Sequence, residues 1–426
     1  MKVTLAYGKT GLELDVPASA TVLEPRYAPD LADPQAALRQ AIDAPIGCPP
    51  LRELARGKRS AAISVCDITR PAPNKLVLPH VLAALEEGGI PREGIRILIA
   101  TGLHREATPA ELDEIVGRDI LEKYEVDSHR AKNLDEQAHL GETVGGTPVY
   151  IDKRFVEADL HLTLGFIEPH LMAGFSGGRK LISIGLAGER TIKRLHSPLF
   201  MRDRAATEGS FPDNPLHREL IEIAGMAGHD FMIDVALTHT RGIAAVFAGE
   251  PRAAHAQGVD FVRQSTLAAV DEPADLVVTT SGGYPLDLTF YQAVKGVTAA
   301  SHVVKPGGTI LLVAKCSEGM GGPEFAELVR RSKDWRSLLD ELAGAPVTVD
   351  QWQIEKLALV AQHANLAFCL PGISAEDRAC LWGPSFETPQ EALDALRSQL
   401  PAGATTLIIP EGPYVFTQVQ PEPALV

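Results

Sequence analysis

The sequence lacks several features that would fix its chemistry at once. Its 426 residues hold only five cysteines, Cys48, Cys66, Cys316, Cys369 and Cys380, and no two form a CxxC pair. A zinc ribbon and a redox dithiol are therefore not indicated, and the odd, scattered set suits a reducing cytoplasm. Positive charge is scarce: 40 Lys and Arg against 55 Asp and Glu leave a formal net charge of −15. So acidic a chain is a poor partner for nucleic acid or an anionic membrane, and any anionic ligand must meet a local basic site. No apolar run approaches the roughly 20 residues needed to span a bilayer. The opening KVTLAYGKTGLELDVP (2–17) alternates as a β-hairpin does and has no signal-peptide core. No GxGxxG follows a strand with an acid about 20 residues on, as a dinucleotide fold requires. A P-loop is absent too, because Arg179 separates Gly178 from Lys180. These absences lead to the expectation of a soluble, cytoplasmic protein.

What is present is an ordinary globular composition, 45% hydrophobic and 22% charged, long enough for two or three domains. Short apolar runs recur: AAISV (61–65), IRILIA (95–100), ADLHLTL (158–164), ADLVVTT (274–280), GTILLVA (308–314) and TTLIIP (405–410). Between them lie helix-like segments such as KLVLPHVLAALEEGG (75–89) and FAELVRRSKDWRSLLDELAG (325–344). Such alternation predicts an α/β fold of two domains, with parallel-type sheets flanked by helices. A composition change near AAVDEPAD (268–275) divides a larger N-terminal domain, 1–268, from a smaller C-terminal one, 272–400. The segment 401–426 carries one more strand and can return to either domain, the N-terminal one included.

Ligands of open α/β sheets bind beyond the carboxyl ends of the strands. Four such exits carry reactive side chains. CDITRP presents Asp67, Thr69 and Arg70; TGLHRE presents His104; GFIEPH presents His170; and SGGYP leads to Tyr291, Gln292 and Lys295. If these exits share one edge, they form an anion-binding site with acid/base groups. Each has a plainer reading. Thr69-Arg70-Pro71 also fits a helix start with Pro at the first helical position. Ser176, Gly177 and Gly178 form either a tight turn or an anion-binding nest. Lys295 fits a solvated charge near a helix end, and His104 a simple loop residue. Among the other histidines, His129, His139, His217 and His255 read as surface residues and His161, inside a strand, as a satisfied core residue. His196 stands out only because it follows the HLMAGFSGGRK stretch (170–180) and precedes Ser197-Pro198.

Taken in order, DITRP (67–71), TGLHREAT (101–108), EPHLMAGFSGGRK (168–180), LHSP (195–198) and YQAVKG (291–296) resemble the nickel-pincer-dependent lactate racemase family. The resemblance covers most of the chain and extends to DQW (350–352). It implies a nickel ion in a pyridinium bis-thiocarboxylic mononucleotide bound covalently to Lys180, with His196 as the protein's nickel ligand. It further implies His104 and His170 as the acid/base pair, Arg70, Tyr291, Gln292 and Lys295 at the substrate, and Asp67 in support. Thr69 and the Ser176-Gly177-Gly178 amides are expected at the cofactor, the amides seating its phosphate. A pincer with three in-plane donors leaves one position for an imidazole in the square-planar geometry of Ni(II), which accounts for the lack of an HExxH spacing. Cofactor-maturation proteins are implied as partners, with no nucleic acid or membrane.

The substrate's chemistry agrees with this assignment. The C2 hydrogen of a 2-hydroxy carboxylate is poorly acidic, so it leaves more easily as hydride while a base takes the hydroxyl proton. Two histidines serve because the enantiomers present their hydroxyls differently. A racemase or C2-epimerase of a 2-hydroxy acid is thus the expected function, on lactate or a longer acid such as gluconate. The loops 206–219 and 316–324 read as surface loops or as walls facing a larger, hydroxyl-rich substrate. Two rival classes are an NAD-dependent 2-hydroxy acid oxidoreductase and a non-catalytic carboxylate- or cofactor-binding protein.

Overall fold

A computed structural model describes residues 1–25 and 27–420. Two sheets organise it. The first has six strands in the order Ile243–Gly249, Phe231–Leu237, His161–Phe166, Ala61–Cys66, Ile95–Ala100 and Glu125–Ser128. All run parallel except the edge strand Ile243–Gly249. Every residue of Ala61–Cys66 is buried, because helices cover both faces. Ile63, Val65, Ile97 and Ile99 pack with the helix Asn74–Glu87. Ala62 and Leu98 point the other way, into the cluster holding Ile182, Ile192, Leu220 and Ile223. Alternating side chains thus meet an apolar layer on either face, which is why these strands read as unbroken apolar runs.

The second sheet is wholly parallel, in the order Asn365–Cys369, Val304–Val313, Ala274–Thr280, Thr406–Ile409 and Thr21–Val22. Its composition corrects the expected domain bounds. Lys2–Leu5 and Leu12–Asp15 form the anticipated hairpin, yet Val3, Leu5, Leu14 and Val16 pack on Leu276, Val278 and Leu311 of the second sheet. Thr21 pairs with Leu407, so residues 1–22 sit with the second sheet and not with an N-terminal domain. The strand Thr406–Ile409 likewise joins the second sheet rather than the first. The helical run 325–344 is two helices, Pro323–Arg331 and Trp335–Gly344, because Asp334 turns back to accept the Ser337 amide and starts the second.

Two contacts, one partly and one fully buried, tie the sheets' units together. Arg202 donates from Nε to Glu355 Oε1 (2.6 Å), and Lys356 Nζ donates to the carbonyls of Met201 and Ala206 (both 2.8 Å). Both acceptor segments adjoin His196, while Glu355 and Lys356 belong to the helix Gln351–Ala361. Among the described residues, no helix is long and apolar enough to cross a membrane.

Candidate active site

Three of the four strand exits meet on one edge of the first sheet. The strand Ala61–Cys66 lies between His161–Phe166 and Ile95–Ala100, so the exits leading to His170 and His104 are two strand spacings apart, about 10 Å. Arg70 emerges between them. The helix Phe290–Ser301, which follows a strand of the second sheet, brings Tyr291, Gln292 and Lys295 to the same place. A cavity of about 180 Å3 results, lined by Asp67, Arg70, His104, His170, Ser176, Gly177, Lys180, His196, Tyr291, Gln292 and Lys295 among others. Of the residues singled out in the sequence, Thr69 and Gly178 are not in its wall.

His104 is oriented by its neighbour strand. Its Nδ1 lies 2.7 Å from Asp67 Oδ2, and Asp67 Oδ1 accepts from both the Thr69 hydroxyl (2.6 Å) and amide (3.2 Å). Burial would raise the Asp67 carboxyl, but the His104 hydrogen bond, Arg70 and Thr69 outweigh it and hold the group below its ordinary value. A carboxylate at Nδ1 puts the ring proton there and leaves Nε2 with a free lone pair. Thr69 therefore acts on Asp67. The turn it belongs to is not a helix start, because the helix begins only at Asn74.

His170 has the opposite tautomer. Its Nδ1 accepts the Met172 and Ala173 amides at 3.3 and 3.2 Å, made possible by the hairpin that pairs His170 with Gly174. The proton of the neutral ring is then on Nε2, 2.9 Å from Lys180 Nζ. That contact requires a lysine nitrogen able to accept, a neutral amine. Burial, reinforced by Arg70, Lys295 and Arg179 and opposed by Glu168, lowers Lys180 to about 7. Burial and the cations Lys180, Lys295 and Arg70 likewise hold His170 well below the ordinary histidine value. Lys295 falls to about 7 from burial and from Arg70. Arg179 contributes less to Lys180 than its adjacency suggests: its guanidinium turns away to the carbonyls of Ser176, Gly177 and Phe175.

His196 ends the helix Glu189–Leu195. Its Nδ1 donates back to Ile192 O at 2.8 Å, and its ring packs against Trp352 at a tilt of 42° with centroids 4.4 Å apart. Nε2 therefore carries the lone pair. Burial, with Lys180 nearby, lowers this histidine to about 4, which keeps the lone pair available at neutral pH. Trp352 Nε1 donates to Tyr291 OH at 3.0 Å, and the buried Gln292 Oε1 has no hydrogen-bond partner among the described residues. The arrangement offers one nucleophilic amine, one imidazole lone pair suited to a metal, two histidines of opposite tautomer and a surplus of cations.

Several expectations are corrected. The Gly178 amide donates to Asp234 Oδ2 (2.8 Å) and the Ser176 amide to Glu168 O (2.9 Å), so these amides are not an open phosphate nest. Glycine is required at 177 for another reason: φ is +85°, and a Cβ would stand 2.2 Å from Asp234 Oδ2. His129, His217 and His255 are buried, not on the surface; only His139 is exposed. His129 is held by Asp152 Oδ2 and Ala187 O, both at 2.9 Å. His217 and His255 stack on each other beside a second cavity that Arg179 also lines. The loops 206–219 and 316–324 do not line the cavity, whereas Glu168, Leu171, Asp350, Trp352 and Gln353 do. DQW signalled two of these; nothing in the sequence signalled Gln353.

Known proteins resemble this chain throughout. Residues 7–209 match the lactate racemase N-terminal domain and residues 269–416 the lactate racemase C-terminal domain. A lactate racemase from Thermoanaerobacterium thermosaccharolyticum is 36% identical over 98% of this chain and 99% of its own. One from Lactiplantibacillus plantarum is 36% identical over 89% of each. The structure of a lactate racemase apoprotein from T. thermosaccharolyticum superposes with a TM-score of 0.92 at 31% identity, over 98% of this chain and all of that one.

Proposed function

Because the chain belongs to the lactate racemase family and is a racemase, we propose that it inverts C2 of a lactate-like 2-hydroxy acid in the cavity described. The observation that carries this reading is the opposite tautomers of His104 and His170 on either side of Arg70. Hydride removal from C2 requires the hydroxyl proton to leave at the same time, and His104 Nε2 has the lone pair to take it. The resulting 2-keto acid accepts hydride on its other face, and its oxygen then needs a proton. His170 Nε2 holds one. In the reverse direction the two exchange roles, so a single pair serves both enantiomers.

Arg70 and Lys295 bind the substrate carboxylate. Burial and the repulsion of Arg70 lower Lys295, and a bound anion relieves that repulsion. Gln292 Oε1, buried without a partner, accepts a hydrogen bond from the ligand. A nickel-pincer nucleotide supplies the hydride acceptor when bound. The residues fit such a group: Lys180 is a neutral amine able to anchor it, and His196 presents Nε2 as a single ligand. Among the described residues, no group of three or more His, Cys, Asp or Glu could hold a metal, so the remaining donors come with the cofactor.

The test is the mass of the Lys180 peptide from protein made together with the cofactor-maturation enzymes, with nickel analysis and a racemisation assay. A nucleotide-sized, sulfur-containing adduct is expected, and His104→Ala should keep it while losing interconversion by about 10²–10⁴-fold. An unmodified Lys180 under these conditions would overturn the anchored-cofactor reading. Full activity of His104→Ala would overturn the paired-histidine scheme.

A further inference from the structure

Two acidic groups in the cavity wall, Glu168 and Asp350, have no part in the chemistry above. Asp350 stands at the N-cap of the helix Gln351–Ala361, with φ 65° and ψ −1°. A left-handed backbone is uncommon for a residue other than glycine and tends to occur where function maintains it. An aspartate at an N-cap ordinarily accepts a backbone amide, as Asp33, Asp152 and Asp334 do in this chain. Asp350 makes no such bond, and its side chain lines the cavity. The glycine-rich loop behind it closes tightly, since a Cβ on Gly322 would lie 2.9 Å from Asp350 Oδ2.

Arg70 and Lys295 are committed to the substrate carboxylate and His104 and His170 to the C2 hydroxyl, while Glu168 lies among the cations Arg70, Lys180 and Lys295. That leaves the wall formed by Asp350, Trp352 and Gln353 for the third substituent of C2. The Tyr291 hydroxyl, which accepts from Trp352 Nε1 at 3.0 Å, keeps its own proton on the Asp350 side of the cavity. The Asp350 carboxylate, which accepts no backbone amide at its cap, has lone pairs to offer in the cavity it lines.

We propose that Asp350 determines specificity by accepting a hydrogen bond from a hydroxyl on C3, so that the preferred substrates are 2,3-dihydroxy acids, glycerate being the smallest. The inference rests on the racemase reaction proposed above. A methyl at this position leaves the carboxylate without a donor, and a second substrate carboxylate meets like charge.

The experiment compares glycerate, lactate and malate on the cofactor-loaded protein, wild type and Asp350→Asn, with calorimetric binding of the same acids. Glycerate should exceed lactate in kcat/KM by about tenfold or more, the scale of one hydrogen bond to a charged group. Asp350→Asn should bring the two within about threefold of each other, mainly through a higher KM for glycerate, and improve malate. Equal wild-type use of lactate and glycerate would overturn the assignment. So would an equal fall of kcat on every substrate in Asp350→Asn, the mark of a merely structural role through Tyr291. Turnover of none of these acids by protein with modified Lys180 and glycerate bound would instead overturn the reaction itself.

Discussion

The most exposed consequence of this site is the reactivity of Lys180 before any cofactor is attached. An ordinary lysine titrates at 10.5, so at pH 7 roughly one molecule in 3,000 carries a neutral amine. With Lys180 lowered to about 7 by burial and by Arg70, Lys295 and Arg179, about half are neutral. The enrichment in nucleophile is therefore about 10³, less a modest loss because a weaker base is a poorer nucleophile. The perturbation is Arg70→Gln, which removes the cation that contributes most after burial. The assay is competitive acylation of the apoprotein with a limiting amine-directed reagent across pH 5–10, read as the mass of the Lys180 peptide. Wild-type labelling should inflect near pH 7, far below the surface lysines. In Arg70→Gln the inflection should move upward, and each rise of one pH unit lowers labelling at pH 7 about fivefold at first. A wild-type inflection near pH 10 would refute the neutral-amine argument, and with it the tautomer assigned to His170.

Other outcomes follow from the same contacts. Asp67→Asn removes the acceptor that fixes the His104 tautomer and should lower kcat by about 10²-fold with little change in KM, measured on loaded enzyme. Arg202→Met leaves the fully buried Glu355 carboxylate unpaired and should cost about 3 kcal/mol in denaturant unfolding; Arg202→Met with Glu355→Gln should recover part of it. Asp152 is fully buried, yet its bonds to Arg154 and His129 outweigh that burial and lower it to about 2 from 3.8. A group depressed in the fold stabilises above its unfolded value and loses that contribution as pH falls through the folded one. Asp152 should therefore add about 2 kcal/mol above pH 4 that fades towards pH 2, and Asp152→Asn should flatten that part of the acid-unfolding curve.

The strands and the reactive exits were legible because they obey local rules. Runs such as IRILIA can only be strands covered on both faces, and a side chain just past such a strand is placed by the sheet itself. The tautomers were not legible, since they depend on which neighbour reaches each ring nitrogen: Asp67 for His104, two amides of a hairpin for His170. The choice between tight turn and anion nest in the glycine-rich stretch depends on distant residues for a similar reason. Three glycines near a lysine suggest an anion nest, but Asp234, distant in sequence, already takes the Gly178 amide. The buried His129 and His255 read as surface residues because a polar local context gives no hint that Asp152 or Ser176 O satisfies them. Asp350 lay within a recognisable motif, while the backbone angle that turns it towards the cavity appears only in three dimensions.

The pairing of Thr21 with Leu407 bears on how the chain is made as well as how it is built. During synthesis, residues 1–22 are made well before 406–409, the strand beside which Thr21–Val22 must lie. The hairpin Lys2–Leu5 and Leu12–Asp15 must wait while the whole six-stranded sheet is made and can fold between the two parts of its own neighbour. Closing so long a loop is slow, and an isolated hairpin in water is marginal at best. The six-stranded unit thus has an opportunity to mature first, with the second sheet sealed by the last strand to arrive. Shortening the separation between residues 1–22 and 406–409 in the chain would shorten that loop and should speed closure of the second sheet.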